Sequence, residues 1–345
     1  MPIKPNGHSR PRLADVAKLA GVSLGSASRA MSHPDAVKPK TLQAVKAAAE
    51  ALQYIPDESG RALASRRTLS IGVVLPTINN PIFATFVHHL QKELAAKGYT
   101  LFVLAHEYDR AAETKYIERL VRRRADGIVL IGSDQEAEAQ NILKRAGIPT
   151  VVTWSVQAQP RATDIGFSNL DAMTMIVEHL ATLGHRRIAM LSGAPDSNER
   201  AAARIASLRE AAARHDITVT SVHHVPLHIA GGQEGFARWQ QASDGATALV
   251  CATDTIAAGV LHAAALAGVA IPAQLSVTGF DDIDISAMLT PALTTVRTPV
   301  VEMARVAAAS LLATLQGEPT PAHQSLPVEL PVELIVRAST GPAPR

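Results

Sequence analysis

The chain has 345 residues and one cysteine, Cys251, so no disulfide can form within it. It contains no apolar run long enough to span a bilayer. Its opening stretch, MPIKPNGHSRPR, lacks the apolar core of a secretory signal. These two absences lead us to expect a cytoplasmic protein. There is no G-x-G-x-x-G and no Walker sequence, which argues against a dinucleotide or ATP enzyme. No serine or cysteine sits in a recognisable nucleophile elbow. AHEYD, residues 105–109, lacks the second histidine of a zinc-protease helix. HHVPLH contains His223, His224 and His228 but reads as a loop with no cysteine or carboxylate at ligand spacing, so no metal is expected. No catalytic constellation remains, and the expectation is a protein that is not an enzyme and carries no cofactor.

At 47% hydrophobic and 3% aromatic, the composition is that of an ordinary globular protein rich in alanine. The net charge of +2 conceals an asymmetry. Residues 1–67 hold 11 lysines and arginines against 5 acids, a balance of +6, and the remainder carries −4. A small basic head on a mildly acidic body suits a module that meets phosphates.

The head has a definite pattern. In LADVAKLAGVSLGSASRAMS, residues 13–32, Leu13, Val16, Ala17 and Ala20 share one helical face. Gly21 is suited to a left-handed stop, Val22 can plug the corner, and Ser23 is a good N-cap for a second helix. On that second helix Ala27, Ala30 and Met31 face inward. Leu24, Gly25, Ser26 and Arg29 are left on the outside. This is the helix-turn-helix pattern, although a hairpin that only packs would read the same way. A third helix follows, with Pro39 at its start and Leu42, Val45, Ala49 and Leu52 as its stripe; Pro56 ends it. DESGRALASRRT, residues 57–68, is polar and basic, and reads as a linker or as a helix that forms only on a partner.

From Leu69 onward, short β-branched runs (SIGVVL, TLFVLA, DGIVLI, PTVVTW) alternate with helical stretches at Ile82–Ala96, Ala111–Arg123 and Glu136–Arg145. The pattern restarts at DIGFSN and runs through RRIAML, a helix near Glu199–Ala213, ALVCAT, a helix near Ile256–Ala267, and LSVTGF. It closes with a helix near Val301–Gln316 and the strands SLPVEL and VELIV. Strand alternating with helix means a parallel, doubly wound sheet. Two such units in tandem make a two-lobed α/β body, with a ligand cleft at the carboxyl ends of the strands.

Five stretches, LADVAKLAGVSLGSASRAMS, AAAEALQYIPDESGRALAS, SIGVVLPTINNPIF, LGHRRIAMLSG and SVTGFDD, stand in an order and spacing that resemble the lactose-repressor/galactose-repressor type of bacterial transcription regulator, the LacI/GalR family. The likeness spans about Arg12 to Arg337. It implies an all-α helix-turn-helix headpiece at 1–56, a hinge helix at 57–68 and a periplasmic-binding-protein-like core. It further implies that strands change lobe near 161–164 and 289–292. One lobe then takes 69–161 plus 292–322, the other 162–291 plus 323–340, and 341–345 form a tail. That tail has no apolar heptad, so a homodimer rather than a tetramer is expected.

The resemblance also assigns roles. Leu24 and Gly25 occupy the positions that discriminate operators, and Arg29 can bond guanine with its fork. Ser26 lies on the same outward face as Gly25 and Arg29, and Ser23 and Ser28 are better placed to fix phosphates than to read bases. Leu63, next to Ala64, matches a hinge leucine that wedges into a central minor-groove step. Asp57 and Gly60 depart from the usual residues there. In the cleft, Arg204 and Asp281 fall on ligand-binding positions, joined by Asn79, Phe83, Trp154, Thr253 and Asp254. Thr253 replaces a usual asparagine, and Ser207 stands where a glycine is usual. The expected partners are a pseudo-palindromic double-stranded DNA operator, a sugar or sugar-acid effector, and a second copy of the chain. The alternatives are a small-molecule binding protein without a DNA role and an α/β enzyme acting on a sugar.

Overall fold

The computed structural model describes residues 11–55, 67–154, 164–317 and 328–344. The chain divides into two units, Met1–Thr68 and Leu69–Arg345, each with its own interior.

The first unit holds α1 (Leu13–Ala20), α2 (Leu24–Ser32) and α3 (Pro39–Ala51), with a 3-10 turn at Pro34–Ala36. Gly21 takes φ 64 and stops α1. The next amide, Val22 N–H, reaches back to Ala17 O at 3.0 Å, the long reverse bond of a left-handed helix end. Ser23 caps α2 by accepting from Ser26 N–H at 3.1 Å. Val16, Ala17, Ala27, Ala30, Val45, Ala48 and Ala49 form the buried centre, with Leu13, Met31, Leu42 and Leu52 packed against it. Small residues dominate because three short helices must approach closely around one stripe each. Residues 57–66, and with them Asp57, Gly60, Leu63 and Ala64, lie outside the described residues.

The second unit is built on two sheets of six strands each among the described residues. The first contains β1 (Ser70–Leu75), β2 (Thr100–Ala105), β3 (Gly127–Ile131), β4 (Thr150–Thr153), β5 (Asp164–Gly166) and β11 (Val328–Glu329), in the order β11-β5-β4-β3-β1-β2 and all parallel. The second contains β6 (Arg187–Ser192), β7 (Thr218–His224), β8 (Ala248–Cys251), β9 (Ser276–Asp281), β10 (Thr294–Arg297) and β12 (Glu333–Ile335), in the order β12-β10-β9-β8-β6-β7. Only the β10–β12 pair is antiparallel. Helices α4 (Pro81–Ala95), α5 (Arg110–Arg122), α6 (Ala137–Ala146) and α11 (Val300–Gln316) accompany the first sheet. Helices α7 (Asn169–Thr182), α8 (Glu199–Arg214), α9 (Ile229–Ala242) and α10 (Asp254–Leu266) accompany the second. β1 and β3 are buried throughout, as a sheet covered on both faces requires. No helix among the described residues is long and apolar enough to cross a membrane.

The chain passes between lobes later than the resemblance implies. Asp164–Gly166 pairs with β4 and β11 and so completes the first sheet, where DIGFSN was expected to open the second. Thr294–Arg297 pairs with β9 in the second sheet, and Val328–Glu329 with β5 in the first. The three crossings therefore lie near 167–168, 298–299 and 330–332, not near 161–164, 289–292 and 322–323. Ladder pairing sets them, and a short apolar run does not announce which sheet it joins. His223 and His224 are also not in a loop: they end β7, and His228 caps α9 by accepting from Gly231 N–H at 3.0 Å. No cluster of metal-ligand residues occurs among the described residues.

Because nothing lies within 4 Å of a Cβ built on Gly21, Gly21→Ala isolates the cost of its backbone. We expect the variant to lose about 1–2 kcal/mol from the headpiece, since a Cβ resists the left-handed region. Thermal unfolding should show the headpiece transition lowered and that of the second unit unmoved.

Candidate nucleic-acid interface and ligand cavity

The first site is the outer face of α2. Ala27 and Ala30 turn inward, which leaves Leu24, Gly25, Ser28 and Arg29 exposed. Leu24 is 54% exposed, a large apolar side chain with no internal role. Ser23 and Ser26 share a hydroxyl–hydroxyl hydrogen bond at 2.9 Å beside the helix start. The N-terminal end of such a helix presents free amides and short polar side chains, the arrangement that enters a DNA groove.

The second site is a cavity of about 30 Å³ at the carboxyl ends of the strands of both sheets, with room for a few waters. Phe83 from α4 and Trp154 from the end of β4 form its aromatic side, with ring centroids 5.0 Å apart. Trp154 is 1% exposed and has φ 76. On the opposite side Arg204 projects from α8. Its Nε donates to Asn169 Oδ1 at 3.2 Å and its Nη1 to Ala252 O at 2.6 Å. The guanidinium lies 3.8 Å from the ring centroid of Phe280, which adds a cation–π contact. Burial lowers the Arg204 pKa, and the Asp281 charge opposes that shift.

Asp281 ends β9 and enters the same cavity. Its Oδ1 stands 3.9 Å from Arg204 Nη2 and has no hydrogen-bond partner. Burial pushes its carboxyl up to about 8; Arg204 pulls it down and Asp254 pushes it further up. The backbone here is strained, with φ 114 at Asp281 and φ 54 at Asp282. Such conformations cost on the order of 1–3 kcal/mol each and persist only where surroundings enforce them. Asp254 is part of that enforcement. Its carboxylate accepts from Ile283 N–H at 2.9 Å, Ser286 Oγ at 2.6 Å and Thr295 Oγ1 at 2.5 Å.

Across the cavity mouth the lobes touch through polar groups. Asn198 caps α8, accepting from Arg200 N–H and Ala201 N–H. Glu199 Oε1 then accepts from Ser133 N–H at 3.3 Å, just beyond β3 in the other lobe. Arg200 Nη1 pairs with Glu199 at 2.8 Å and donates to Ile131 O at 3.3 Å. A Cβ on Gly132, where φ is 95, would run into both side chains. Arg110 joins the contact, paired with Asp134 and donating to Asp196 O at 3.4 Å. In the electrostatic field of Glu199 and Arg200 lie two further buried groups. Burial brings His106 down to about 4, with Arg200 adding to the effect, and neither ring nitrogen has a partner. Burial raises Glu113 to about 7 against a hydrogen bond from Gln135.

Of the residues expected in the cleft, Phe83, Trp154, Arg204, Thr253 and Asp281 do line one cavity. Two do not. Asn79 is exposed and faces an open groove of about 720 Å³ that adjoins the cavity, Ile82 and Asp281 lining both. Its neighbour Asn80 lines the cavity and caps α4, accepting from Ile82 N–H at 3.2 Å. Asp254 is fully buried and spends its oxygens on Ile283 N–H, Ser286 and Thr295, so it supports the Asp281–Asp282 corner from behind. Thr253 caps α10, accepting from Ile256 N–H at 3.3 Å. Sequence reasoning missed Tyr108, Ser192, Asn198 and Arg200. Arg200 was within reach, because it sits one helical turn before Arg204 on the same face. Tyr108 lay in AHEYD, a stretch weighed only as a metal motif; burial raises its phenol pKa.

A helix-turn-helix headpiece followed by a two-lobed α/β body is the architecture of a DNA-binding transcription regulator. The pattern of bacterial regulatory proteins of the lacI family matches residues 12–57, and that of a periplasmic binding protein-like domain matches residues 177–340. The HTH-type transcriptional regulator reg1 of Streptomyces lividans is 34% identical over 344 residues, covering 96% of this chain and 97% of its own. The HTH-type transcriptional repressor CytR of Escherichia coli is 30% identical over 339 residues, with coverage of 96% and 97%. Among solved structures, a lac repressor dimer bound to operator and an anti-inducer superposes with a TM-score of 0.85 at 27% identity, covering 96% of this chain and 100% of that one. The chain belongs to the lacI family of bacterial regulatory proteins.

Gly132→Ala tests the contact between lobes. The added Cβ would displace Glu199 and Arg200, so the lobes should rest farther apart. Small-angle X-ray scattering of the full chain should report a larger radius of gyration. Stability should fall by about 1–2 kcal/mol from the left-handed backbone alone.

Proposed function

We propose that the chain is a repressor that binds a pseudo-palindromic operator as a homodimer and is controlled by a neutral, hydroxyl-rich effector, a sugar, held in the cavity around Asp281. In this reading Arg29 reads a guanine edge, Leu24 meets a thymine methyl, and Gly25 offers its backbone. Ser23, Ser26 and Ser28 contact phosphates or sugar edges. Leu63 and Ala64, outside the described residues, keep the minor-groove role that the family resemblance implies. Such a protein works in the cytoplasm, where its operator is. The open groove supports the dimer: Ile229, Ile285 and Val301 on its walls are about half exposed, and apolar patches of this kind mark protein interfaces.

One observation carries the effector class. Arg200 is paired with Glu199, and Arg204 is anchored through Nε and Nη1 to Asn169 and Ala252. The atoms left without a partner are the Asp281 Oδ1 acceptor and the Ser192 hydroxyl. A buried acceptor without a donor is costly, and ligand hydroxyls supply donors. A sugar acid would compete with Asp281 for Arg204, which stands 3.9 Å from the Asp281 carboxyl. Phe83 and Trp154 suit the apolar face of a ring. A thermal-shift series of neutral sugars against their uronic and aldonic acids tests this; stabilisation by the acids alone would overturn it.

Two outcomes are expected. Arg29→Ala should cost about 1–3 kcal/mol of operator binding and relax base preference at one position per half-site, as measured by fluorescence anisotropy over operator variants. Sugar affinity should depend on pH with a definite sign. Ligand hydroxyls favour the ionised carboxylate and lower its pKa in the complex, so binding releases a proton wherever Asp281 is protonated in the free protein. Affinity should therefore climb as pH rises toward about 8 and level off above it. Calorimetry in buffers of different ionisation enthalpy reads the released proton, and Asp281→Asn should abolish the slope.

A further inference from the structure

The segment after β12 is sewn onto the second sheet. Arg337 N–H donates to Thr294 Oγ1 at 2.9 Å and Ala338 N–H to Ala292 O at 3.0 Å. Ser339 Oγ donates to Val277 O at 2.6 Å and accepts from Thr294 N–H at 2.8 Å. Gly341 N–H donates to Ser276 Oγ at 3.1 Å. Held this way, the Arg337 guanidinium lies half-buried behind the cavity corner. Its Nη1 donates to Leu293 O at 2.8 Å and its Nη2 to Asp282 Oδ1 at 2.7 Å. The other oxygen of Asp282 takes Arg297 Nε at 2.8 Å, and Arg297 in turn pairs with Glu333 of β12 at 3.0 Å. The Asp282 side chain is 7% exposed, and these two arginines are its partners.

We propose that Arg337 is a positioning residue for effector recognition. It anchors Asp282, which together with the Asp254 contacts forces the left-handed turn and presents Asp281 Oδ1 to the cavity. The proposal rests on the reading of Asp281 as the effector's acceptor. The geometry needs a guanidinium, because one rigid fork reaches both a carbonyl and a carboxylate; a lysine would keep the charge but not the two directions. Arg297 meets the same carboxylate from an exposed position and cannot replace the bond to Leu293 O.

The test uses the full chain as parent, Arg337→Lys, Arg337→Ala and Asp281→Asn. Hydrogen exchange of peptides spanning residues 280–288, without sugar, reports the Ile283 amide. Both Arg337 variants should exchange faster there than the parent, and methylguanidinium should slow exchange in Arg337→Ala only. Calorimetry with glucose, maltose and cellobiose should then show affinity lowered about tenfold or more in Arg337→Lys, as expected when a binding group is displaced but not removed. Its pH dependence should move away from that of the parent. Unchanged exchange at residues 280–288 in both variants overturns the role of Arg337, whatever the sugars do. Faster exchange combined with sugar binding that ignores Asp281→Asn upholds Arg337 as the anchor of the turn and overturns the Asp281 reading. Faster exchange with parental sugar affinity and pH profile overturns the proposal, since the turn would then be held for stability alone.

Discussion

The ligand side of this protein depends on one constraint: two consecutive aspartates, Asp281 and Asp282, kept in left-handed backbone at the end of a buried strand. Neither residue favours that region without support. The support comes from Asp254 below, through Ile283 and Ser286, and from Arg337 and Arg297 alongside, through Asp282. A Cβ on Gly279 would meet the Asp254 carboxylate, so the strand that leads into the corner must carry glycine there. The result is a buried acceptor aimed at a cavity and kept away from its own neighbours. The surrounding hydrogen bonds stabilise a conformation that, on the proposed reading, serves binding.

The second constraint is that the reader and the cavity belong to different units of the chain. Control of one by the other is then a coupling free energy between the two sites, typically 1–3 kcal/mol. Three crossings join the lobes, and the third leads through β12 into the segment that carries Arg337. A change of lobe angle and the hold on Asp282 therefore share one stretch of backbone.

Much of this was legible beforehand, and for identifiable reasons. The headpiece helices follow from apolar spacing, from Gly21 as a stop and from Ser23 as a cap, all of which act within a few residues. Strands such as Ser70–Leu75 are legible because parallel sheets bury both faces. Arg204 and Asp281 were reached through resemblance and do meet in one cavity. What sequence concealed was long-range. Whether Asp164–Gly166 joins the first sheet or the second is settled by pairing with β4 and β11, which leaves no mark in three residues. Asn79 and Asn80 are chemically identical, and only the entry angle of α4 decides which faces the cavity. Asp254 looks like a ligand until three donors from residues 283–295 are seen to saturate it. The strand at Thr218–His224 was hidden by its histidines, which suggested a loop, while its edge position tolerates polar residues.

The size of the cavity bears on how a ligand would act. About 30 Å³ is roughly a tenth of what small-molecule pockets usually enclose. A sugar ring cannot enter without moving the walls, and the walls that can move are the two lobes. Parting them stretches the contacts between Glu199, Arg200 and the end of β3, along with the bond from Arg110 to Asp196 O. A ligand shifts an equilibrium only by its differential affinity for the two states. On the proposed reading, that difference is the gain of donors for Asp281 and Ser192 set against the loss of the bonds that tie Glu199 and Arg200 to Ser133 and Ile131. Gly132 is then as much a part of the response as any residue that touches the ligand, because its missing side chain is what allows those bonds to form.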